Sequence, residues 1–157
     1  MDAEERARRL VGRVNGTIVT AGVLAAASAG ENPNAFDAGL YALATVVVFW
    51  LAHGWAESLG RRAGEHPEHG FRHGLVHQLP VLESVVPPLL AIGIARLLGA
   101  GHEDAITWAA WVCVGELGLL GAAVAYRERR PPLRIASTAA GCAALGLLMI
   151  ALKAIVH

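Results

Sequence analysis

The chain has 157 residues, 55% of them hydrophobic, a mean hydropathy of +0.47 and a formal net charge of zero. Balanced charge offers no electrostatic footprint for nucleic acid. A membrane helix needs roughly 20 apolar residues, so this length holds only a handful of spans with short loops and no separate soluble domain. The apolar residues fall in long blocks with the charged ones almost entirely between them. That pattern predicts an all-α polytopic bundle of five transmembrane helices, a single domain over residues 1–157 embedded in a lipid bilayer.

In chain order the blocks cover about residues 10–30, 35–60, 74–99, 105–126 and 133–156. Each spans a bilayer if tilted or flanked by interfacial residues. The first opens on Gly12 and Gly16 at helical spacing, and Asn15, Thr17 and Thr20 add polar groups to it. Threonines in such helices commonly bond their own backbone. Glu31-Asn32-Pro33-Asn34 is a turn signal before the second block. The third block is interrupted by Pro80 and Pro87-Pro88, each of which removes a backbone donor. Such interruptions either kink a helix or open its carbonyls to a cavity or ion path. The loop before the fourth block ends on Asp104, a candidate helix cap. Arg127 to Pro132 is basic and ends on two prolines suited to a helix start. Gly115, Gly118, Gly121, Gly141 and Gly146 dot the last two blocks; small residues serve close packing between helices or, more specifically, a dimer seam.

Orientation follows from the basic residues. Arg6, Arg8, Arg9 and Arg13, then Arg61, Arg62 and Arg72, then Arg127, Arg129, Arg130 and Arg134 all fall on one side if the number of spans is odd. Arg96 and Lys153 remain near the other side and can snorkel. The expected topology is N-terminus inside and C-terminus outside. Trp50, Trp55, Trp108 and Trp111 lie near block ends and read as belt residues. Arginine in place of lysine, with abundant Ala and Gly, suggests a GC-rich bacterial genome and hence the bacterial inner membrane. Cys113 and Cys142 lie inside apolar blocks and read as small buried residues. The first block has no small-residue cleavage site followed by a soluble domain, so a cleaved signal peptide is not expected.

Ionisable residues within spans carry the functional information, because a charge at mid-bilayer costs about 2.5–3.5 kcal/mol on insertion scales. Glu83 lies about 13 Å into the third block from the inner end, and Glu116 lies near the midplane in the fourth. His53 and Glu57 share one face of the second block, a turn apart. Carboxylates with imidazole suit Fe²⁺, Mn²⁺ or Zn²⁺ better than Ca²⁺, and the same set serves a proton relay. The alternatives are an interfacial role for Glu57 and a hydrogen-bonded structural pair for Glu83 and Glu116. Between the second and third blocks stand Glu65, His66, Glu68, His69, His73 and His77. His69, His73 and His77 are spaced by four, so an early start to the next helix puts them on one metal-binding face; otherwise they belong to a solvated linker. There is no Gly-rich phosphate loop, no Ser/His/Asp arrangement and no dinucleotide fingerprint. The chain is not expected to be an enzyme or to hold a resident cofactor.

The layout resembles the vacuolar iron transporter family. The stretch RRLVGRVNGTIVTAGVLAAASAG is similar to that family's opening helix with its Asn-Asp-Gly step. LAHGWAESLGRR is similar to its Met-x-x-Gly-Glu stretch, and PPLRIASTAAGCAALGLLMIAL to its final helix. Asn15 falls on the family's Asn, Gly16 on its metal-handling Asp, Glu57 on its Glu and His53 on its Met. The family's Glu-rich insert between helices two and three is replaced by the short His/Glu linker. The resemblance implies five helices, an inside N-terminus and proton-coupled export of Fe²⁺ or Mn²⁺. In that reading a divalent metal ion is the substrate and a homodimer supplies the solute path. His53, Glu57, Glu83 and Glu116 handle the ion, and His69, His73 and His77 capture it. Small bacterial membrane proteins with a His-x-x-x-Glu stretch in helix two are similar as well. A membrane-embedded scaffold without transport activity is the competing expectation.

Overall fold

A computed structural model describes residues 3–30, 32–63, 71–127 and 131–156. Among them the chain is all-helical: α1 (Ala3–Ser28), α2 (Ala35–Ala63), α3 (Phe71–His77), α4 (Leu79–Glu83), α5 (Val86–Leu97), α6 (His102–Arg127) and α7 (Pro132–Val156). Four segments are long and apolar enough to cross a membrane: Glu5–Ser28, Ala35–Gly60, Leu79–Leu97 and His102–Arg127. The fifth block forms α7, 25 residues long. This is a membrane protein by the character of its helices.

The distribution of side chains fits a bilayer rather than water. Thr17, Thr20 and Ser84 are fully buried, while Leu40, Val48, Leu51, Leu90, Ile94 and Leu119 lie on the surface. Without competing water, each buried hydroxyl must find an acceptor. Thr17 donates to the Arg13 carbonyl at 2.9 Å, Thr20 to Gly16 at 2.8 Å and Ser84 to Val81 at 2.7 Å. Exposed aromatics mark both ends of two helices: Phe36 and Trp55 on α2, Trp108 and Tyr126 on α6. At 1.5 Å per residue these pairs are about 28 Å and about 27 Å apart, close to the roughly 30 Å hydrocarbon thickness. Trp50 departs from the belt expectation. It is half-buried and its indole N–H donates to the Leu75 carbonyl at 2.9 Å, tying α2 to α3.

The third block is three helices, not one. α3 ends at His77, and a turn through Gln78 leads to α4; Ser84 and Val85 form a second turn before α5. Each break falls just ahead of a proline. Pro80 and Pro87 occupy the first turns of α4 and α5, where a missing N–H costs nothing because no intrahelical acceptor faces it. Asp104 is not the cap of its helix. α6 begins two residues earlier, at His102, and Asp104 lies in its first turn. The cap side chain observed nearby serves another helix: His102 Nδ1 accepts from the Ala35 N–H at 3.2 Å, beside Asn34 Oδ1 accepting from Phe36 at 3.0 Å. Together they satisfy the start of α2.

α1 is the hub, packed against α2, α4, α6 and α7. Its two N-terminal glycines face the broken helix. A Cβ on Gly16 would stand 2.6 Å from the Val81 carbonyl oxygen and collide with Ser84, whereas one on Gly12 would meet Pro80 at an ordinary 3.4 Å. The Gly12/Gly16 pair thus serves packing within one chain. The same holds where α6 meets α7, with Gly121 against Cys142 and Gly146 against Val114. Gly115 and Gly141 face open space. Cys113 is buried and Cys142 half-buried, both as free thiols.

Candidate functional site

The close approach of α1 and α4 brings three ionisable side chains together. Arg13 projects from α1 one turn before Thr17. Its Nε lies 3.7 Å from Glu83 Oε2 at the end of α4, an ion pair too long for a hydrogen bond. From the other side Glu116, on α6, faces Arg13 and Thr17. Arg13 thus stands between two carboxylates. Its Nε and one oxygen of Glu116, Oε2, are buried with no hydrogen-bond partner among the described residues. Counted along α6, Glu116 is about 12 Å from Trp108 and about 15 Å from Tyr126, so it sits near the middle of the apolar band.

The two carboxylates differ in surroundings. The Glu83 side chain is 52% exposed and that of Arg13 42%. Glu83 borders a cavity of about 130 Å³, also lined by Glu5, Arg8, Arg9, Val76, His77, Leu79 and Pro80. The cleft lies at the end of the bundle where α1 begins. Within it Arg9 pairs with Glu5 at 3.3 Å, one turn apart. Glu116 faces inward.

The remaining expected residues form a second cluster around α2 and α3. Glu57 Oε2 accepts from Gln78 Nε2 at 3.2 Å, at the turn that precedes α4. Glu57 and Glu83 therefore mark opposite ends of that short helix. His53 stacks on Phe49 with ring centroids 4.0 Å apart, and its Nδ1 lies 3.1 Å from the Phe49 carbonyl. A carbonyl only accepts, so Nδ1 carries the hydrogen, and on a neutral ring Nε2 keeps its lone pair. Backbone contact here is intimate: a Cβ on Gly74 would come within 2.8 Å of the Gly54 carbonyl oxygen.

His53 and Glu57 thus share the face of α2 that their spacing predicts, and Glu83 and Glu116 converge on Arg13. Among the described residues no group of three or more His, Cys, Asp or Glu side chains stands close enough to hold a metal ion. The helix after the linker does begin early, at Phe71, placing His73 and His77 on α3. His77 lines the cleft. The His73 side chain and His69 lie outside the described residues.

Sequence reasoning treated Arg13 only as a marker of orientation and left Gln78 and Ser84 aside. The only sequence cue for Arg13 is its place between Gly12 and Gly16, which marks a close approach but not the partner that makes it. No family model, curated protein or solved structure matches the chain.

Proposed function

We propose that this protein is a permease for a divalent metal ion of the Fe²⁺, Mn²⁺ or Zn²⁺ class, coupled to protons and working as a homodimer in the bacterial inner membrane. In this reading α7 completes a bundle of five spans, with the N-terminus inside and the C-terminus outside. The observation that carries it is the convergence of Arg13, Glu83 and Glu116 at the break in the third span. Three ionisable groups gathered on apolar helices are expensive unless they are used. A broken helix supplies backbone carbonyls beside them. The resemblance of the first, second and fifth blocks to the iron transporter family points the same way.

The cleft that holds His77 and Glu83 is the inner entrance. His53, Glu57, Glu83 and Glu116 take part in ion coordination or proton exchange, with His69, His73 and His77 as capture residues on the inner side. Arg13 sets a condition on this scheme. A cation reaches Glu83 or Glu116 only as the guanidinium leaves, so site occupancy and the position of Arg13 are linked. The test is uptake of Fe²⁺, Mn²⁺ and Zn²⁺ into liposomes holding the purified protein and an internal pH dye. Metal-dependent flux with a matching pH change is expected, abolished by Glu83→Gln or Glu116→Gln without loss of membrane insertion.

One observation favours a second reading. An arginine bridging carboxylates from two other helices is also a cross-brace, as a membrane-embedded scaffold protein would need. That reading expects the same substitutions to lower stability in detergent, and expects no flux from folded wild-type protein.

A further inference from the structure

We infer that His102 is a pH-sensitive latch at the end of the bundle where α2 and α6 begin: the neutral ring pins the start of α2, and the imidazolium lets it go. The latch goes beyond the carrier reading and does not depend on it.

The first N–H groups of a helix have no acceptor within it. At α2 the Ala35 N–H cannot turn to water instead, because Ala35 is fully buried. Its acceptor is His102 Nδ1 at 3.2 Å, on a residue 67 positions away in the chain. The oxygens of Asn34 already serve other donors: Oδ1 accepts from Phe36 at 3.0 Å and the carbonyl from Ala38 at 2.9 Å. Past this bond the two helices share one core, with Ala35, Ala38 and Ala42 on α2 and Ala105, Ile106 and Ala109 on α6.

The bond exists in one protonation state. Nδ1 accepts, so the hydrogen of the neutral ring is on Nε2. When a proton from solvent adds to Nδ1, the new N–H faces the Ala35 N–H, donor against donor. The bond is lost and the buried Ala35 N–H is left unsatisfied. Solvent reaches the ring, since His102 is exposed although its partner is not.

Geometry decides which side yields. His102 comes from a loop with fastenings of its own. Gly99 turns it at φ 84°, the Arg96 guanidinium donates to the Ala100 carbonyl at 2.6 Å, and the Ala105 N–H donates to the Gly101 carbonyl at 3.0 Å. The start of α2 is held through Asn34 and His102, so loss of the second frays it. The charged groups described at this end are Asp37 on α2, Arg96 on α5, and Glu103 and Asp104 on α6. Tyr41 follows on α2, α1 brings no basic group in its last turn, and the side chains at the end of α7 lie outside the described residues. The three carboxylates attract the imidazolium once it swings out, while Arg96 stays on its carbonyl. In the five-span topology this end faces outside, and the latch then reads external pH.

The experiment is hydrogen–deuterium exchange of the purified protein in detergent, from about pH 8 to about pH 5, the range in which imidazoles change charge. Exchange is corrected for its intrinsic pH dependence and read over residues 35–42. Wild-type protection there should fall by about two- to tenfold at the acid end, the size of one lost hydrogen bond, while residues 86–97 keep theirs. His102→Gln, whose amide oxygen accepts at any pH in this range, should stay protected throughout, and His102→Ala unprotected throughout. Asp37→Asn should leave the acid fall in place. In wild-type protein, nitrogen NMR of the His102 ring should show hydrogen on Nε2 at the alkaline end and a change of charge at the pH where protection falls. Flat wild-type protection, an acid fall that persists in His102→Gln, or a neutral ring with its hydrogen on Nδ1 overturns the inference. Metal flux without the acid fall sinks the latch alone; the latch without flux sinks the carrier reading alone.

Discussion

Two glycines one turn apart on α1 should respond in opposite directions to the same added methyl group. At Gly16 the new Cβ would lie 2.6 Å from the Val81 carbonyl oxygen and collide with Ser84 Oγ. Ser84 can rotate away only by giving up its bond to Val81, a loss of about 0.5–1.5 kcal/mol. The carbonyl belongs to helix backbone and cannot rotate, so α4 must move outward, and overpacking of this kind costs about 1–3 kcal/mol. The better helix propensity of alanine returns about 1 kcal/mol. Gly16→Ala should therefore destabilise by about 0.5–3.5 kcal/mol. At Gly12 the nearest atom, Pro80 Cβ, would be 3.4 Å away, and only the propensity gain remains, up to about 1 kcal/mol. Thermal unfolding in detergent, followed by loss of the monodisperse peak on size exclusion, measures both. Equal stability of Gly16→Ala and wild type, or a destabilised Gly12→Ala, would refute the close approach of α1 and α4.

Other outcomes are open to direct measurement. Trp50→Phe removes the indole bond to the Leu75 carbonyl and should cost about 0.5–1.5 kcal/mol in the same unfolding assay; no change would place Trp50 in the lipid belt instead. His102→Ala leaves the Ala35 N–H without its acceptor and should cost about 0.5–2 kcal/mol, as lost caps do, with hydrogen exchange rising first at the start of α2. Gly121→Ala would place a methyl 2.7 Å from Cys142 Sγ, so it should destabilise, and Cys142→Ala should relieve part of the loss. For topology, a C-terminal alkaline phosphatase fusion should be active and a C-terminal green fluorescent protein fusion dark; the reverse pattern would overturn five spans with an outside C-terminus.

The bundle was legible in the sequence because hydropathy is read along the chain and each long apolar block closes its own hydrogen bonds. The breaks in the third block were signalled by Pro80 and Pro87, since proline tolerates only the first turn of a helix. The pairing of Glu83 with Arg13 was not legible. Nothing in a linear reading says that α4 docks on α1 closely enough to reach an arginine assigned to the membrane edge. That contact depends on Gly16 facing Ser84, a three-dimensional coincidence of one small residue with one turn. For the same reason Trp50 read as a belt residue: its partner, the Leu75 carbonyl, lies 25 positions away in the chain.

The divided third span also bears on how the chain enters the membrane. Leu79–Leu97 is the shortest of the four long apolar segments, 19 residues, and it carries Glu83 and three prolines. On its own it is a poor candidate for release into lipid, because a carboxylate and interrupted backbone must both be shielded. The shield is α1, which leaves the ribosome first and presents Arg13 and the Gly12/Gly16 face as a waiting dock. On this packing, damage to the glycine face of the first helix is expected to appear first as failed retention of the later segment, which glycosylation mapping of that segment would measure.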